Sequence, residues 1–433
     1  MKGLHNFGLN VIDLESITNQ ALESRGGKVI LPNDTVLVVH DLDGQTYYAK
    51  IDQDNKKIED AGEGRISMIL DEKYDLDGRL TTEKPESISN PLDVTVKKKS
   101  GGGGAHNAAY GQGVFLEGHI KAITQGSAGQ RQFGDVYKIK PYIHVMHGDD
   151  FIEDCLPRTV NYHRICECEN DAIGRNLILT VQGRKVTLRS NPVPYDKKHA
   201  DSLLDKIHEG DVLFLNTVKE NDYLEIAERA IQSGKLGKFI LAATDSMIAK
   251  VGKEKIQELI GHSDVYISNV DEMSSLTGID PTDQPSLIKA MDTVRELQLA
   301  YNHTKKRPHM YITFGEAGAA AMDISGNIFY QPCIDFPINT PLAHRIVNTN
   351  GCGDAFASIV GTLESAGLPT IEILDYANTA GQICSQIRSA IGSELATPGR
   401  IADFTQKYGN KPIKLYDRPQ GDFTGSVTVH CRF

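Results

Sequence analysis

The segment Asn348-Thr349-Asn350-Gly351-Cys352-Gly353-Asp354-Ala355-Phe356 sets two glycines, a small residue and an acid at the entry to an apolar helical period. Phe356, Ile359, Val360 and Leu363 recur at i, i+3, i+4 and i+7, and Gly367 and Pro369 end the pattern. Glycines at a helix entry let backbone N–H groups converge on an anion, to which the helix N-terminus adds about half a positive charge. Asp354, in the first turn, is then placed where a phosphate meets an acceptor hydroxyl. The chemistry would be proton removal during phosphoryl transfer. Taken alone, the motif also reads as an N-cap aspartate on a surface helix, because glycine-rich helix entries are common.

Three further segments carry candidate groups. Ser100-Gly101-Gly102-Gly103-Gly104-Ala105-His106-Asn107-Ala108-Ala109 runs into a helix-compatible stretch. Its glycines permit close approach of backbone to a ligand, with Asn107 placed to hydrogen-bond a substrate hydroxyl, or they form a flexible linker. Asn269-Val270-Asp271-Glu272 follows a strand-like run ending at Ser268. That is the carboxyl end of a strand, where open α/β sheets hold ligands and where acids order hydrated Mg²⁺. The plainer alternative is helix N-capping by Asn269. Thr313-Phe314-Gly315-Glu316-Ala317-Gly318 is a similar small-residue loop after a strand, or an ordinary turn.

The elements that must position these groups alternate from about residue 200 onward. Val212 to Leu215, Phe239 to Ala243, Val265 to Ser268 and Met310 to Phe314 read as strands. Between them lie the helical stripes of Leu203, Leu204 and Ile207, of Ile226, Ala230 and Ile231, and of Ile288, Met291, Val294 and Leu297. Continuously apolar strands alternating with helices predict a doubly wound, mostly parallel α/β sheet with helices on both faces. Residues 28–100 and 162–192 show β-branched runs, alternation and turn signals instead, so antiparallel ribbons forming a small β lid are expected there. Asp75 to Pro91 reads as an exposed loop. One domain over 1–400 with a C-terminal extension over 401–433 follows, the extension having no clear period or assignable role. No internal repeat is evident.

Composition narrows the class. A chain of 433 residues with 40% apolar and 24% charged residues suits a globular protein of one large domain with a lobe, or two domains. A net charge of −11 argues against nucleic acid as the main partner. Seven irregularly spaced cysteines without a CxxC pair fit reduced thiols better than disulfides or zinc, and Cys166-x-Cys168 lacks zinc-ligand spacing. The N-terminal residues lack a signal-peptide core, and about 18 consecutive apolar residues occur nowhere. A cytoplasmic protein without a membrane partner is expected. An oxidoreductase is disfavoured because no GxGxxG opens a helix after a strand.

In this order the motifs resemble those of the PfkB/ribokinase family of carbohydrate and nucleoside kinases, over about residues 6 to 400. Gly351-Cys352-Gly353-Asp354 looks like the family's C-terminal GAGD, and Gly102 and Gly103 with Asn107 like its GGxxxN. Asn269 and Glu272 match NxxE, Thr313 with Gly315 matches the ATP-loop TxG, and Asp13 matches the first-strand aspartate. Within the family, the Asn-Thr-Asn-Gly run looks most like the bacterial inosine–guanosine kinases. Two departures are Cys352 in place of the usual alanine and Asn348-Thr349-Asn350 in place of DTT. The second alters two positions that ligate a monovalent cation in some members. The stretch from Asp13 to Gly102 is also long, which leaves the lid's shape open.

The resemblance implies a ribokinase-like fold whose lid closes over a small-molecule sugar or nucleoside, with ATP and Mg²⁺ as cofactors. Asp354 would be the catalytic base, with Gly351, Cys352 and Gly353 cradling the transferred group. Asp13, Gly102, Gly103 and Asn107 would bind the acceptor. Asn269, Glu272, Thr313, Gly315 and Gly318 would line the nucleotide site, Glu272 ordering Mg²⁺ through water. A homodimer through the lid is the assembly it allows. The other reading on the same fold is a ligand-binding protein without turnover.

Overall fold

The computed structural model describes residues 1–8, 11–18, 20, 23–25, 28–32, 34–51, 58–60, 66–70, 73–124, 133, 135–148, 153–167, 174–181, 184–189, 204–216, 221–301, 308–334, 351–386, 396–408 and 411–418. Asn348 to Asn350 and Leu203 lie outside them.

Among the described residues, ten strands form the main sheet. They are β1 (Lys2–Gly8), β2 (Ile139–Gly148), β3 (Asn161–Glu167), β4 (Val212–Asn216), β5 (Lys238–Ala242), β6 (Val265–Asn269), β7 (His309–Thr313), β8 (Gly318–Met322), β9 (Ile328–Pro332) and β10 (Ile413–Tyr416). Their order is β3-β2-β1-β4-β5-β6-β7-β8-β9-β10. The pairs from β3 through β7 are parallel, whereas β7 to β10 pair antiparallel. The doubly wound sheet expected from the sequence is therefore present. Every residue of β4 is buried, as befits a strand covered on both faces.

Helices supply that cover. One apolar cluster joins the sheet to α2 (Asn221–Gln232), α3 (Asp245–Val251), α4 (Lys253–His262), α5 (Val270–Thr277) and α6 (Gln284–Tyr301), through Leu224, Met247, Leu259, Met273 and Met291. The other face is covered by α1 (Gly104–Thr124), α7 (Cys352–Ala366), α8 (Thr370–Ser385) and α9 (Pro398–Tyr408), through Phe115, Phe356, Leu374 and Phe404. Full burial of a Leu or Phe side chain contributes about 1.5–3 kcal/mol, so these two layers dominate the stability of the sheet.

The N-terminal lobe departs from the expected ribbons. Seven strands close into a barrel in the order Asn90–Gly102, Val11–Ile17, Gly174–Val181, Arg184–Arg189, Lys73–Thr81, Thr46–Ile51 and Thr35–His40. Three of its pairings are parallel: 90–102 with 35–40, 174–181 with 11–17, and 184–189 with 73–81. Ile12, Leu14, Leu37, Val39, Val94 and Leu177 fill its interior. Alternation marks which face of a strand is apolar but not which strand lies beside it, so closure was invisible locally. A separate four-stranded sheet pairs Glu23–Arg25, Lys28–Pro32, Ile66–Leu70 and Ile58–Asp60.

Three boundaries shift as well. Asn161–Glu167, expected in the lid, is the edge strand of the main sheet beside β2. The loop expected over Asp75 to Pro91 is strand as far as Thr81 and again from Asn90. Part of the expected extension from 401 belongs to the main body, because α9 packs under α1 and α8 and β10 pairs with β9.

Candidate active site

The candidate site forms where three elements meet at the carboxyl ends of the parallel strands. A strand of the barrel ends at Gly102, and the chain turns at Gly103 (φ 88°) into α1. Strand β4 ends at Asn216, whose amide donates to the Gly104 carbonyl at 3.1 Å. Helix α7 begins at Gly351, whose φ of 82° is left-handed and favours glycine. The amide N–H of Ala355 is bonded to the Gly351 carbonyl at 2.8 Å. The N–H groups of Cys352, Gly353 and Asp354 precede it in the first turn, where an α-helix provides no intrahelical acceptor. The N-cap, Gly351, has no side chain to cap this end, and among the described residues a Cβ built on Gly353 would meet nothing within 4 Å. Among the described residues these three N–H groups are left open, the arrangement that suits an anion at a helix N-terminus.

Asp354 is the third residue of α7, not its N-cap, so the plainer reading of this motif is corrected. Its carboxylate Oδ2 accepts a hydrogen bond from Asn107 Nδ2 at 2.8 Å, and Asn216 is a second partner. Burial pushes the carboxyl above its ordinary range, while the Asn107 and Asn216 hydrogen bonds pull it partway back. The Oδ1 of Asn107 is buried and has no hydrogen-bond partner among the described residues. A buried polar atom without a partner costs free energy. It leaves an open acceptor beside the Asp354 carboxylate.

The other expected residues fall into groups. Gly102 pairs with Val11, and Ser100 pairs with Asp13, which puts the Asp13 backbone two positions along the strand from the mouth of α1. Asn269 and Thr313 are register partners at the ends of β6 and β7, two and three strands from β4 on the same edge of the sheet. Gly315 (φ 58°) is exposed and opens the turn after β7. Gly318 is explained by packing: a Cβ there would lie 2.1 Å from the Gln331 carbonyl, so only glycine lets β8 approach β9.

Asn269 and Glu272 form a closed capping box. The Glu272 carboxylate accepts from the Asn269 N–H at 2.8 Å, and Asn269 Oδ1 accepts from the Glu272 N–H at 2.8 Å. No cluster of three or more His, Cys, Asp or Glu able to hold a metal ion occurs among the described residues. With one buried carboxylate, Glu272, already part of a cap, this edge fits a Mg²⁺ that arrives with a polyphosphate and keeps its water.

Sequence reasoning missed Asn216. The available signal was its position as the polar last residue of an apolar strand, at the edge where such sheets bind ligands. It also missed what fixes α7 in place. Glu364, near the helix's other end, accepts from Lys238 Nζ at 2.6 Å and from the Tyr311 hydroxyl at 2.7 Å, and bonds His309 Nδ1 at 2.5 Å. Burial raises its pKa, but His309 and Lys238 together outweigh this and hold it at about 2.

The family model for pfkB family carbohydrate kinases matches residues 146–397, more than half of the chain. This chain belongs to the pfkB family. A curated relative of this pfkB chain is the adenosine kinase of Schizosaccharomyces pombe (strain 972 / ATCC 24843), 28% identical over 174 residues. That match covers 39% of this chain and 46% of the relative, so it spans about half of that protein's length. Among solved structures, Arabidopsis thaliana ribokinase complexed with ribose and ATP aligns with TM-score 0.51 at 14% identity, over 93% of this chain and 98% of that one. Phosphofructokinase-2 from Escherichia coli in complex with potassium aligns with TM-score 0.53 at 13% identity, over 93% and 98%. At these identities the structures establish that the pfkB chain has the ribokinase-like fold. No helix among the described residues is long and apolar enough to cross a membrane.

Proposed function

We propose that this pfkB chain transfers the γ-phosphoryl group of ATP to a hydroxymethyl group of a ribonucleoside, with purine nucleosides preferred to free sugars. The observation that carries the transfer chemistry is the Asn107–Asp354 hydrogen bond at the open N-terminus of α7, with Asn107 Oδ1 still to be satisfied. The preference for a nucleoside is supported by the Asn348-Thr349-Asn350-Gly351 run and by the adenosine kinase relative.

In this mechanism the acceptor's secondary hydroxyls are oriented by Asn107, with Asp13 assigned the same task by family resemblance. The primary hydroxyl donates to Asp354, which receives its proton as the bond to phosphorus forms. The N–H groups of Cys352, Gly353 and Asp354 stabilise charge on the transferring oxygens. A carboxylate is a weak base toward an alcohol, but phosphoryl transfer depends mainly on positioning, and the raised pKa of Asp354 moves it in the useful direction. Asn269, Thr313 and Gly315 would line the nucleotide on the β6–β7 edge. Glu272 would hold Mg²⁺ through water, and the ion would supply charge neutralisation of the polyphosphate.

A cytoplasmic location and a homodimer through the lid belong to the same reading. Closure removes free edges from the barrel, so such a dimer would join barrel faces or the small four-stranded sheet.

ADP release measured with inosine, guanosine, adenosine, ribose and fructose tests the proposal. Turnover on a purine nucleoside well above that on either sugar is expected. Robust turnover of ribose or fructose with none on the nucleosides sinks the acceptor assignment while leaving the transfer chemistry. No turnover on any of these returns the site to a binding role.

A further inference from the structure

Two cysteines from neighbouring helices meet at the start of α7, with a third, Cys333, farther off. Cys352 is the first residue of α7, Cys384 lies in the last turn of α8, and Cys333 follows β9. The Cys384 thiol hydrogen-bonds to Cys352. Gly381, one turn earlier in α8, is packed so closely that a Cβ there would lie 3.4 Å from the Cys352 carbonyl. Cys384 is fully buried and Cys352 half-buried, so an oxidant reaches Cys352 first.

We propose that Cys352 and Cys384 are a reversible redox pair, in which a hydroperoxide oxidises Cys352 and Cys384 then closes a disulfide between α7 and α8. In the first step the Cys352 thiolate attacks one peroxide oxygen. A sulfur–oxygen bond forms, the O–O bond breaks, and the other oxygen leaves as alcohol or water, giving a sulfenic acid. In the second step Cys384 attacks that sulfur. The disulfide bond forms, and hydroxide leaves and takes the Cys384 proton as water. Two thiols lose two electrons and two protons, and the hydroperoxide becomes an alcohol and water. A dithiol reductant reverses the change by thiol–disulfide exchange and is itself oxidised to a disulfide.

The roles follow from the surroundings. The Cys384 hydrogen bond holds the Cys352 thiol below its ordinary pKa, against burial and the Asp354 carboxylate, which push it up. Cys352 also sits at a helix N-terminus, which favours the thiolate. Cys333 is a poor competitor. Burial, with the charges of Cys352 and Glu316, pushes it up to about 11, and its Sγ is bonded to the Gly315 carbonyl at 3.7 Å.

The consequence for activity rests on the function proposed above. A disulfide of about 2.05 Å is far shorter than a thiol–thiol hydrogen bond, so closing it draws the first residue of α7 toward α8. The N–H groups of the cradle move with it. A misplacement of about 1 Å at such a site costs on the order of 10² in rate.

The test uses the full chain, reduced, treated with hydrogen peroxide, alkylated with iodoacetamide, digested and mapped by mass spectrometry. The expected product is a peptide pair linked through Cys352 and Cys384, with phosphotransfer lowered at least tenfold and both effects reversed by dithiothreitol. A Cys384→Ala variant should keep basal activity, form no such pair, and convert reversible inactivation into irreversible over-oxidation of Cys352. Cys352 still alkylated after peroxide has consumed other thiols overturns the proposal, as does a link from Cys352 to Cys333. If Cys384→Ala fails to fold, the wild-type map decides. The map does not depend on turnover, so failure of the pairing and failure of the proposed function give different results.

Discussion

Helices α5 and α7 both carry an acid at their third position. In α5 that acid is Glu272, and it folds back onto its own N-cap, Asn269, to close a reciprocal box at 2.8 Å in each direction. In α7 it is Asp354, whose N-cap is Gly351, a residue with no side chain to offer the helix. Asp354 turns instead to Asn107, 247 residues away in the chain, and Gly351 makes no side-chain cap. The same charge at the same helical position thus completes one helix and, in the proposed mechanism, serves as the base in the other. The difference lies in the N-cap residue, and in a side chain shorter by one methylene that does not have to reach back.

Exchanging Asp354 for Asn tests this contrast at its strongest point. General-base loss costs about 10²- to 10⁴-fold in rate, so kcat should collapse while ATP affinity stays equal or tightens slightly. Stability should change by under about 1 kcal/mol, because the variant also removes the burial cost of a carboxylate held above its ordinary pKa. In the wild type, kcat should fall with falling pH at a midpoint above the ordinary aspartate range, as the base takes up its proton. Near-normal kcat in Asp354→Asn would falsify the mechanism and make the two helices equivalent.

The other end of α7 sets the next largest effect. Glu364→Gln leaves Lys238 and His309 without their buried counter-charge, which should cost about 3 kcal/mol in urea unfolding. The wild-type carboxyl is depressed from 4.5 to about 2, so its contribution is complete above about 4.5 and is lost as pH falls toward 2. The variant should lack that acid-limb loss. An unchanged unfolding midpoint would show that α7 is not anchored there.

Gly353→Ala should separate stability from function. The added methyl meets nothing within 4 Å among the described residues and improves helix propensity, so the melting temperature should hold or rise, by up to about 1 kcal/mol in free energy. The same methyl projects beside the cradle, and ATP affinity should fall about tenfold, or about 1.4 kcal/mol. Unaltered ATP affinity by calorimetry would mean the phosphates bind elsewhere.

The smallest effect belongs to α5. Gln at position 272 preserves the capping box, so Glu272→Gln should melt within about 0.5 kcal/mol of wild type. It should raise the Mg²⁺ concentration needed for half-maximal rate severalfold with acceptor affinity intact. Unchanged Mg²⁺ dependence would leave Asn269 to Glu272 as a helix cap alone.

The sequence by itself determined the local part of this protein. The spacing Asn269-x-x-Glu272 is a capping box, Gly351 before Phe356, Ile359, Val360 and Leu363 is a helix entry, and the apolar runs from Val212 onward are buried strands; all of these depend on neighbours within a few residues. What the tertiary structure decided is everything set by partners far along the chain. Only it shows that Asp354 meets Asn107 and Asn216, and that the lid strands close into a barrel through three parallel pairings. Only it makes Asn161–Glu167 and Ile413–Tyr416 the two edges of one sheet. The physical reason is that a strand's alternation fixes which face is buried, and a helix's period fixes which stripe is buried, but neither encodes which distant element covers it. That choice is made by register and packing across the whole chain.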